Sequence, residues 1–495
     1  MHRLIARVLC GLVAWTLGGV AASQADEPAG RVDWGPLFSH QQDVHGNWRW
    51  RALGPFFEHA QGEESLTLTA VRPLYSRVED EAAARRRSDY AWPIGYSRRL
   101  HDDHHGRVLL TFWTRHDLTD PESRYHIYVL PFYFQGRDQE GESYAAIFPL
   151  GGRIHNFFRF DTVRFVFWPL YVRTEQNEIV SRSYVWPIVS HTSGKGIHRF
   201  RVFPFYGQNR HRDRYKKQFI LWPFWSQAEY YYDGSSGSGY ILFPLYGRLD
   251  LEDQQSWMVL PPFFRISRGD RVNFALAPWP FFQRRTGEVQ QTYLWPLYGQ
   301  KRMPVVQSRF ALWPIFRETH IDRGETVVQR RNVMPFYYSA VERDRAVPPR
   351  PLELDDPVPR GEVVSNYQKI WPLLSYQREG DESRFRLLAL SPLRESGPIE
   401  RNYAPLWTLL QNTRVDDASE TEVLWGLFRR QREGDEQAYT SVFPLVNWER
   451  DDRADEAVRR WSVLKGLLGY ERHGTNRQYR LLYVLRWGAN EESEP

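Results

Sequence analysis

The hydrophobic positions of the chain recur as one short pattern: aliphatic, aromatic, Pro, aliphatic or Phe, aromatic, then a small or polar residue. Clear copies centre on Trp92-Pro93, Trp168-Pro169, Trp186-Pro187, Trp222-Pro223, Phe243-Pro244, Trp279-Pro280, Trp295-Pro296, Trp313-Pro314 and Trp371-Pro372. From Pro131 to Pro335 the prolines of this pattern follow one another at a mean spacing of about 18.5 residues. With the outlying copies at Pro36, Pro55, Pro73, Pro392, Pro405 and Pro444, twenty of the 32 prolines occupy the one position. Degenerate copies without proline lie at Leu110-Thr111-Phe112-Trp113, Leu424-Trp425-Gly426-Leu427-Phe428 and Leu464-Lys465-Gly466-Leu467-Leu468, which brings the chain to about two dozen units.

Each unit holds a run of about ten residues rich in Trp, Phe, Tyr, Val and Ile, bounded by polar turn residues such as Asp233-Gly234, Arg268-Gly269-Asp270 and Glu433-Gly434-Asp435. That predicts one strand and one tight turn per period. A helix is excluded, because a proline in the middle of every unit would break it at about 3 kcal/mol each time. Short turns make consecutive strands antiparallel neighbours, since a parallel return needs a crossover of a dozen or more residues. The expected fold is therefore all-β, an antiparallel meander of about 24 repeat strands with a period of about 19 residues. With the proline at the strand centre, the prolines would form a row across the sheet and set its curvature at local bends or bulges.

So large an open sheet would leave two free edges, so the expectation is closure into a large β-barrel. The alternation of faces argues for a rival. Counting from the proline, positions -4, -2 and +2 are apolar on one face, as in Phe219, Leu221 and Trp225, yet -1 and +1 on the other face are apolar too, as in Trp222 and Phe224. A water-filled barrel has a polar lumen. The alternative is a soluble, double-layered β-repeat body whose two-sided apolar centre is core.

The N-terminus bears on compartment. Arg3 and Arg7, the apolar stretch Val8–Ala22 and Ser23-Gln24-Ala25 read as a cleaved secretory signal over residues 1–25. Its removal takes away Cys10, the single cysteine, and with it disulfides and thiol chemistry. The body is then read as one domain in two parts, 26–344 and 361–488. They are separated by a proline-rich loop at 345–360 and followed by a disordered tail at 489–495. A mean hydropathy of -0.59 excludes a multi-span helical membrane protein. The 65 basic residues nearly balance 60 acidic ones, so charge does not call for a nucleic-acid partner. Only six of the basic residues are Lys, and Arg is the cation that stacks well on aromatic faces.

Catalytic motifs are lacking. No nucleophile elbow, HExxH helix or dinucleotide fingerprint occurs, and Ser193-Gly194-Lys195-Gly196 lacks the remaining residues of a phosphate loop. The metal candidates are His101, His104 and His105, in His101-Asp102-Asp103-His104-His105; adjacent turn residues seldom converge on one ion, and a solvated turn is the competing reading. Tyr230, Tyr231 and Tyr232 are candidates for a stacking or interfacial surface, against ordinary packing. The expected protein is a non-catalytic bacterial cell-envelope component without cofactors. It is read as an outer-membrane barrel with a structural, transport or binding role, in contact with outer-membrane lipid. The alternative is a periplasmic or secreted β-repeat protein that binds an envelope polysaccharide or a protein partner.

Overall fold

The computed structural model describes residues 31–62, 65–345, 360–392, 394–453 and 457–489. The expected signal segment lies outside these residues, as do all but the end residues of the proline-rich loop and of the tail. Forty-six strands follow one another as a single antiparallel meander, and the all-β expectation holds. The strand count is about twice the expected one. Most strands run five or six residues, and each period holds two of them.

One stretch shows why. Ile220 pairs with Trp225 across Leu221-Trp222-Pro223-Phe224, Tyr232 with Ser235 across Asp233-Gly234, and Leu242 with Tyr246 across Phe243-Pro244-Leu245. The proline pattern is thus a second kind of turn and not the centre of a strand. The curvature hypothesis falls with this: the prolines do form a row, but along one margin of the sheet. Proline suits that place because a turn tip has no ladder partner for the N–H it lacks. The polar turns fill the opposite margin. Several are two-residue hairpins with left-handed backbone, as at Asn177-Glu178 (φ 49° and 65°) and Lys195-Gly196 (φ 45° and 76°), the geometry that matches strand twist.

The proline turns are bonded to one another. From Ile94 to Met334 an unbroken series of thirteen backbone hydrogen bonds runs from turn to turn. In eleven of them an N–H just before or at the aromatic position donates to the carbonyl of the residue after the previous proline, for example Leu221 to Phe205 at 2.7 Å, Phe243 to Phe224 at 2.8 Å and Leu260 to Leu245 at 2.9 Å, and the other two pass through the proline-free turn Leu109-Leu110. The four-residue turns add a second rung, such as Trp222 N–H to the Pro204 carbonyl at 2.8 Å. These turns open on a residue with positive φ, Leu221 at 49° and Leu312 at 47°, where a side chain with Cβ is strained. The rungs offset that strain.

By their contacts the strands form two compact units, one drawn from Met1–Trp92 and Ser365–Pro495, the other from Pro93–Val364. In the first unit the first described strand, Val32–Trp34, pairs with Phe38–Gln42, and the last, Leu485–Ala489, with Asn476–Leu481. Among the described residues no pairing joins the two ends, so closure into a barrel through backbone bonds is not found. Instead, the early strands of this unit face its late strands through side chains. Pro392 and Pro405 depart from the repeat: Pro392 lies in an irregular stretch, and Pro405 in the first turn of the short helix Ala404–Trp407, which follows another, Gly397–Asn402, with Pro398 in its first turn.

The second unit packs differently. Phe134, Tyr144, Ala146, Ile154 and Phe165 form a buried cluster on one sheet face, with Tyr128, Leu130, Phe148 and Val163 against it. On the same face further along, glycines are covered by the aromatic opposite. A Cβ on Gly207 would stand 2.2 Å from the Phe219 ring, and one on Gly299 2.1 Å from Phe310. Neither glycine is at positive φ, so substitution acts through crowding alone. Gly207→Ala is expected to destabilise the protein by about 1–3 kcal/mol, the usual result of overpacking. Denaturant unfolding checks this, and a loss below about 0.5 kcal/mol, typical of an uncoupled surface change, would refute the covering role of Phe219.

Candidate functional site

The margin of proline turns is the most distinctive surface. Eighteen repeat prolines have a described turn residue after them, and in every case it is Leu, Phe or Ile, between 43% and 65% exposed. Thirteen of these tips, from Ile94 to Phe336, belong to the second unit. A hydrophobic position that is never buried makes no contribution to the core. The aromatics before the prolines contact one another instead, turn to turn: Phe148 with Trp168 at 5.3 Å, Trp168 with Trp186 at 5.9 Å, Phe203 with Trp222 at 5.5 Å and Trp295 with Trp313 at 5.8 Å between ring centroids. Their outer faces stay open, Trp222 being 52% exposed. The margin is therefore an apolar strip of aliphatic tips flanked by a row of tilted aromatics.

The metal candidates do not converge. His101 lies in a turn, whereas His104 and His105 lie in the strand Asp103–Val108, where alternation sends adjacent side chains to opposite faces. His104 Nε2 is 2.8 Å from Ser97 Oγ, and His105 lies edge-on to Tyr96. In the strand Trp225–Tyr232, Tyr230 and Tyr232 share a face and stack at 6.3 Å, and Lys217 lies 5.0 Å from the Tyr230 ring. Tyr231 points to the other side.

Sequence reasoning missed a tighter group. Asp138, Glu142 and His155 bring ligand-type atoms within 4.8 Å of one another. Local bonds account for their arrangement. Asp138 Oδ1 accepts the backbone N–H groups of Glu140 and Glu142, both at 2.9 Å, and Oδ2 accepts the His155 Nδ1 proton at 2.6 Å. The His155 ring stacks flat on Tyr144 at 5.2 Å, and Arg153 reaches Glu142 at 3.4 Å. Burial works to raise the Asp138 carboxyl, but the Glu142 N–H and the His155 ring outweigh it and hold it below the ordinary carboxylate range. The group locks a turn, with the histidine oriented by its carboxylate.

The first unit has an ionic interior. Arg429 and Asp33 are both fully buried and meet at 3.0 Å; Arg429 also reaches Glu422 at 3.0 Å and Gln41 at 3.3 Å. Asp33 accepts the Tyr439 hydroxyl at 2.9 Å and the Gly35 N–H at 2.9 Å, while Lys465 caps its backbone carbonyl. Around this centre Arg51 pairs with Glu422, Arg49 with Glu420 at 3.2 Å, Arg72 with Glu58, and Arg31 with Glu449 at 3.4 Å. Buried charges persist only when paired and hydrogen-bonded. Desolvation alone would raise Asp33, Glu58 and Glu422; the facing guanidinium groups prevail, so all three carboxyls lie below their ordinary values. These pairs make a structural clasp between the early and late strands of the unit.

No family model matches this chain, and no curated protein matches it by sequence.

The clasp sets an acid limit. Carboxyls depressed in the folded state stabilise it above their unfolded values, 3.8 for Asp and 4.5 for Glu, and that stability is lost as pH falls through the folded values. Intrinsic Trp fluorescence followed from pH 7 downward is expected to show unfolding of the first unit beginning below about pH 4.5. Arg429→Met, which strands Asp33, is expected to cost about 3–5 kcal/mol and to destabilise the unit already at neutral pH. Equal stability of the variant and wild type at pH 7 would contradict the clasp.

Proposed function

We propose that this is a non-catalytic protein of the bacterial cell envelope, exported and held against a lipid surface, that of the outer membrane, by its margin of apolar turns. The observation that carries the reading is the exposed Leu, Ile or Phe at the turn tip after eighteen of the repeat prolines, next to a row of Trp and Phe. Extended apolar surface of this kind marks an interaction site. The composition of the strip favours lipid: its tips are aliphatic or Phe, and the aromatics behind them are the residues that settle at the headgroup level. The opposite margin carries Asp, Glu, Arg and Gly turns, which supports orientation with that side toward water.

Strand length speaks for lying on the bilayer and not across it. Five or six residues at ~3.3 Å each rise ~17–20 Å, whereas a spanning strand needs about 9–11 residues. Burying the exposed half of one Leu or Phe tip is worth about 1 kcal/mol. Five inserted tips of the thirteen in the second unit would thus equal one myristoyl anchor, about 5 kcal/mol. The second reading, a soluble periplasmic or secreted binding body, is favoured by the ionic interior of the first unit, which belongs in a water-surrounded protein.

Flotation of the purified mature protein with phosphatidylcholine–phosphatidylglycerol vesicles tests the proposal. The wild type is expected to float and to be released by alkaline carbonate. The triple variant Phe224→Glu, Leu245→Glu, Phe263→Glu is expected to lose at least about tenfold in bound fraction with an unchanged circular dichroism spectrum. Undiminished flotation of the variant, or retention through carbonate as for a spanning barrel, would overturn the reading. So would a variant that floats as before but changes from dimer to monomer, since the strip would then join two copies.

A further inference from the structure

We infer that the second unit carries a binding site for a single-chain anionic amphiphile, an acyl chain bearing a carboxylate or phosphate head. The site lies in a cavity of about 630 Å³ on the sheet face that holds Gly207 and Phe219, within the range of small-ligand pockets. This deepens the lipid-surface reading and rests on it for the source of the ligand.

The charge of the wall is one-sided. Arg199, Arg201, Lys217, Arg248 and Arg265 line the cavity, and no Asp or Glu does. Arg248 is satisfied by Asp250 at 2.9 Å. For the other four, no carboxylate among the described residues forms an ion pair. Arg265 donates to Ser267 at 3.1 Å and Ser256 at 3.4 Å, two neutral hydroxyls; burial lowers its guanidinium, which a bound anion would reverse. Arg201 Nε is buried with no partner. Four cations with no carboxylate partner around a cavity with no acid in its wall fit an anionic head.

The floor fits the rest of the molecule. Phe219, Ile241, Leu249 and Met258 lie over Gly207, Gly239 and Gly247, whose missing side chains let these apolar groups lie flat against the sheet as a floor. The apolar part adjoins the turn margin. Phe219, Ile241 and Met258 share the ladder row beside the turns, with Arg201 at one end of that row and Arg265 at the other, and Arg199 and Lys217 lie one row farther in beside the Arg201 end. Trp222, the aromatic of that turn, lines its mouth. An acyl chain would lie along Phe219, Ile241 and Met258, parallel to the margin, with the head among Arg199, Arg201 and Lys217. A free anion would leave the apolar floor unused, and a neutral lipid would leave the cations unmatched.

Displacement of the fluorescent fatty acid cis-parinarate from the intact mature protein, without vesicles, tests the site. Palmitate and lysophosphatidate are expected to compete, hexadecanol to compete at least about tenfold more weakly, and inorganic phosphate not to compete. The double variant Arg199→Gln, Lys217→Gln alters cavity side chains outside the sheet ladder and is expected to weaken palmitate about tenfold or more. Arg210→Gln, on the opposite face of the same strand as Asn209, is expected to leave it unchanged. The site is refuted by failure of parinarate to bind, by hexadecanol competing as well as palmitate, by displacement with phosphate alone, or by a double variant that binds like wild type. Because no vesicle is present, refutation here leaves the flotation result standing, and loss of flotation with intact parinarate binding overturns the margin and not the cavity.

Discussion

The interaction on which the second unit depends is the backbone bond between successive proline turns. Strands of five or six residues give few ladder bonds per pair, and a hairpin that short is marginal by itself. Carrying the hydrogen-bond ladder through the turns adds a row of bonds at the margin, where a sheet normally frays. It also explains the residue types. The carbonyl after the proline is the acceptor, the N–H before or at the aromatic is the donor, and proline sits between them where no donor is required. The tilted aromatic contacts follow the same rail, since each bond fixes the distance from one turn to the next.

With the margin fixed, the two units solve the problem of the sheet face in opposite ways. The second unit buries an aromatic and aliphatic cluster and covers glycines with rings, which is hydrophobic packing of the ordinary kind. The first buries ions. Across the described residues, buried polar and charged side chains number 29 against 13 hydrophobic ones, an inversion of the usual interior. An ionic interior contributes little net stability, because desolvation cancels most of the attraction. What it supplies is discrimination: Arg429 accepts only a register that brings Asp33, Gln41 and Glu422 to it together. In a chain of near-identical repeats, where a slip by one unit would preserve every apolar contact, that discrimination has physical value.

The repeat itself, the polar turns and the antiparallel meander were legible in the sequence, because each is written in local residue types: Asp-Gly, Lys-Gly and a period near 19. The proline turns were not. A continuous apolar run such as Leu221-Trp222-Pro223-Phe224-Trp225 ordinarily signals a buried strand, and here the same run crosses a turn and stays exposed. The clue was chemical, since a proline without an N–H repeated at the centre of an interior strand is disfavoured; so was the apolar character on both sides of it, which no half-buried strand requires. The ionic clasp was hidden for another reason. Phe428-Arg429-Arg430-Gln431-Arg432-Glu433 reads as a solvated strand, and the partners of Arg429 in Asp33 and Gln41 are nearly 400 residues away. Asp138 and His155 are seventeen residues apart, and no local motif marks their pairing.

The repeats also serve as an internal comparison. The position after the proline has been filled eighteen times over, each time with Leu, Ile or Phe, while the positions around it vary among aromatic, aliphatic and small residues. Stability does not account for this. The hydrogen bond of that residue is made by its backbone carbonyl and is indifferent to the side chain, and the side chain itself is about half exposed and joins no core. A polar residue would satisfy the fold equally and the solvent better. The requirement for an apolar tip therefore comes from outside the unit, from whatever the margin meets. Because apolar and charged turns lie at opposite ends of each short strand, the sheet is amphipathic across its width and not only through its thickness. A sheet amphipathic through its thickness lies flat on a bilayer or closes into a barrel. One amphipathic across its width meets a bilayer edge-on, with its faces left free to bind.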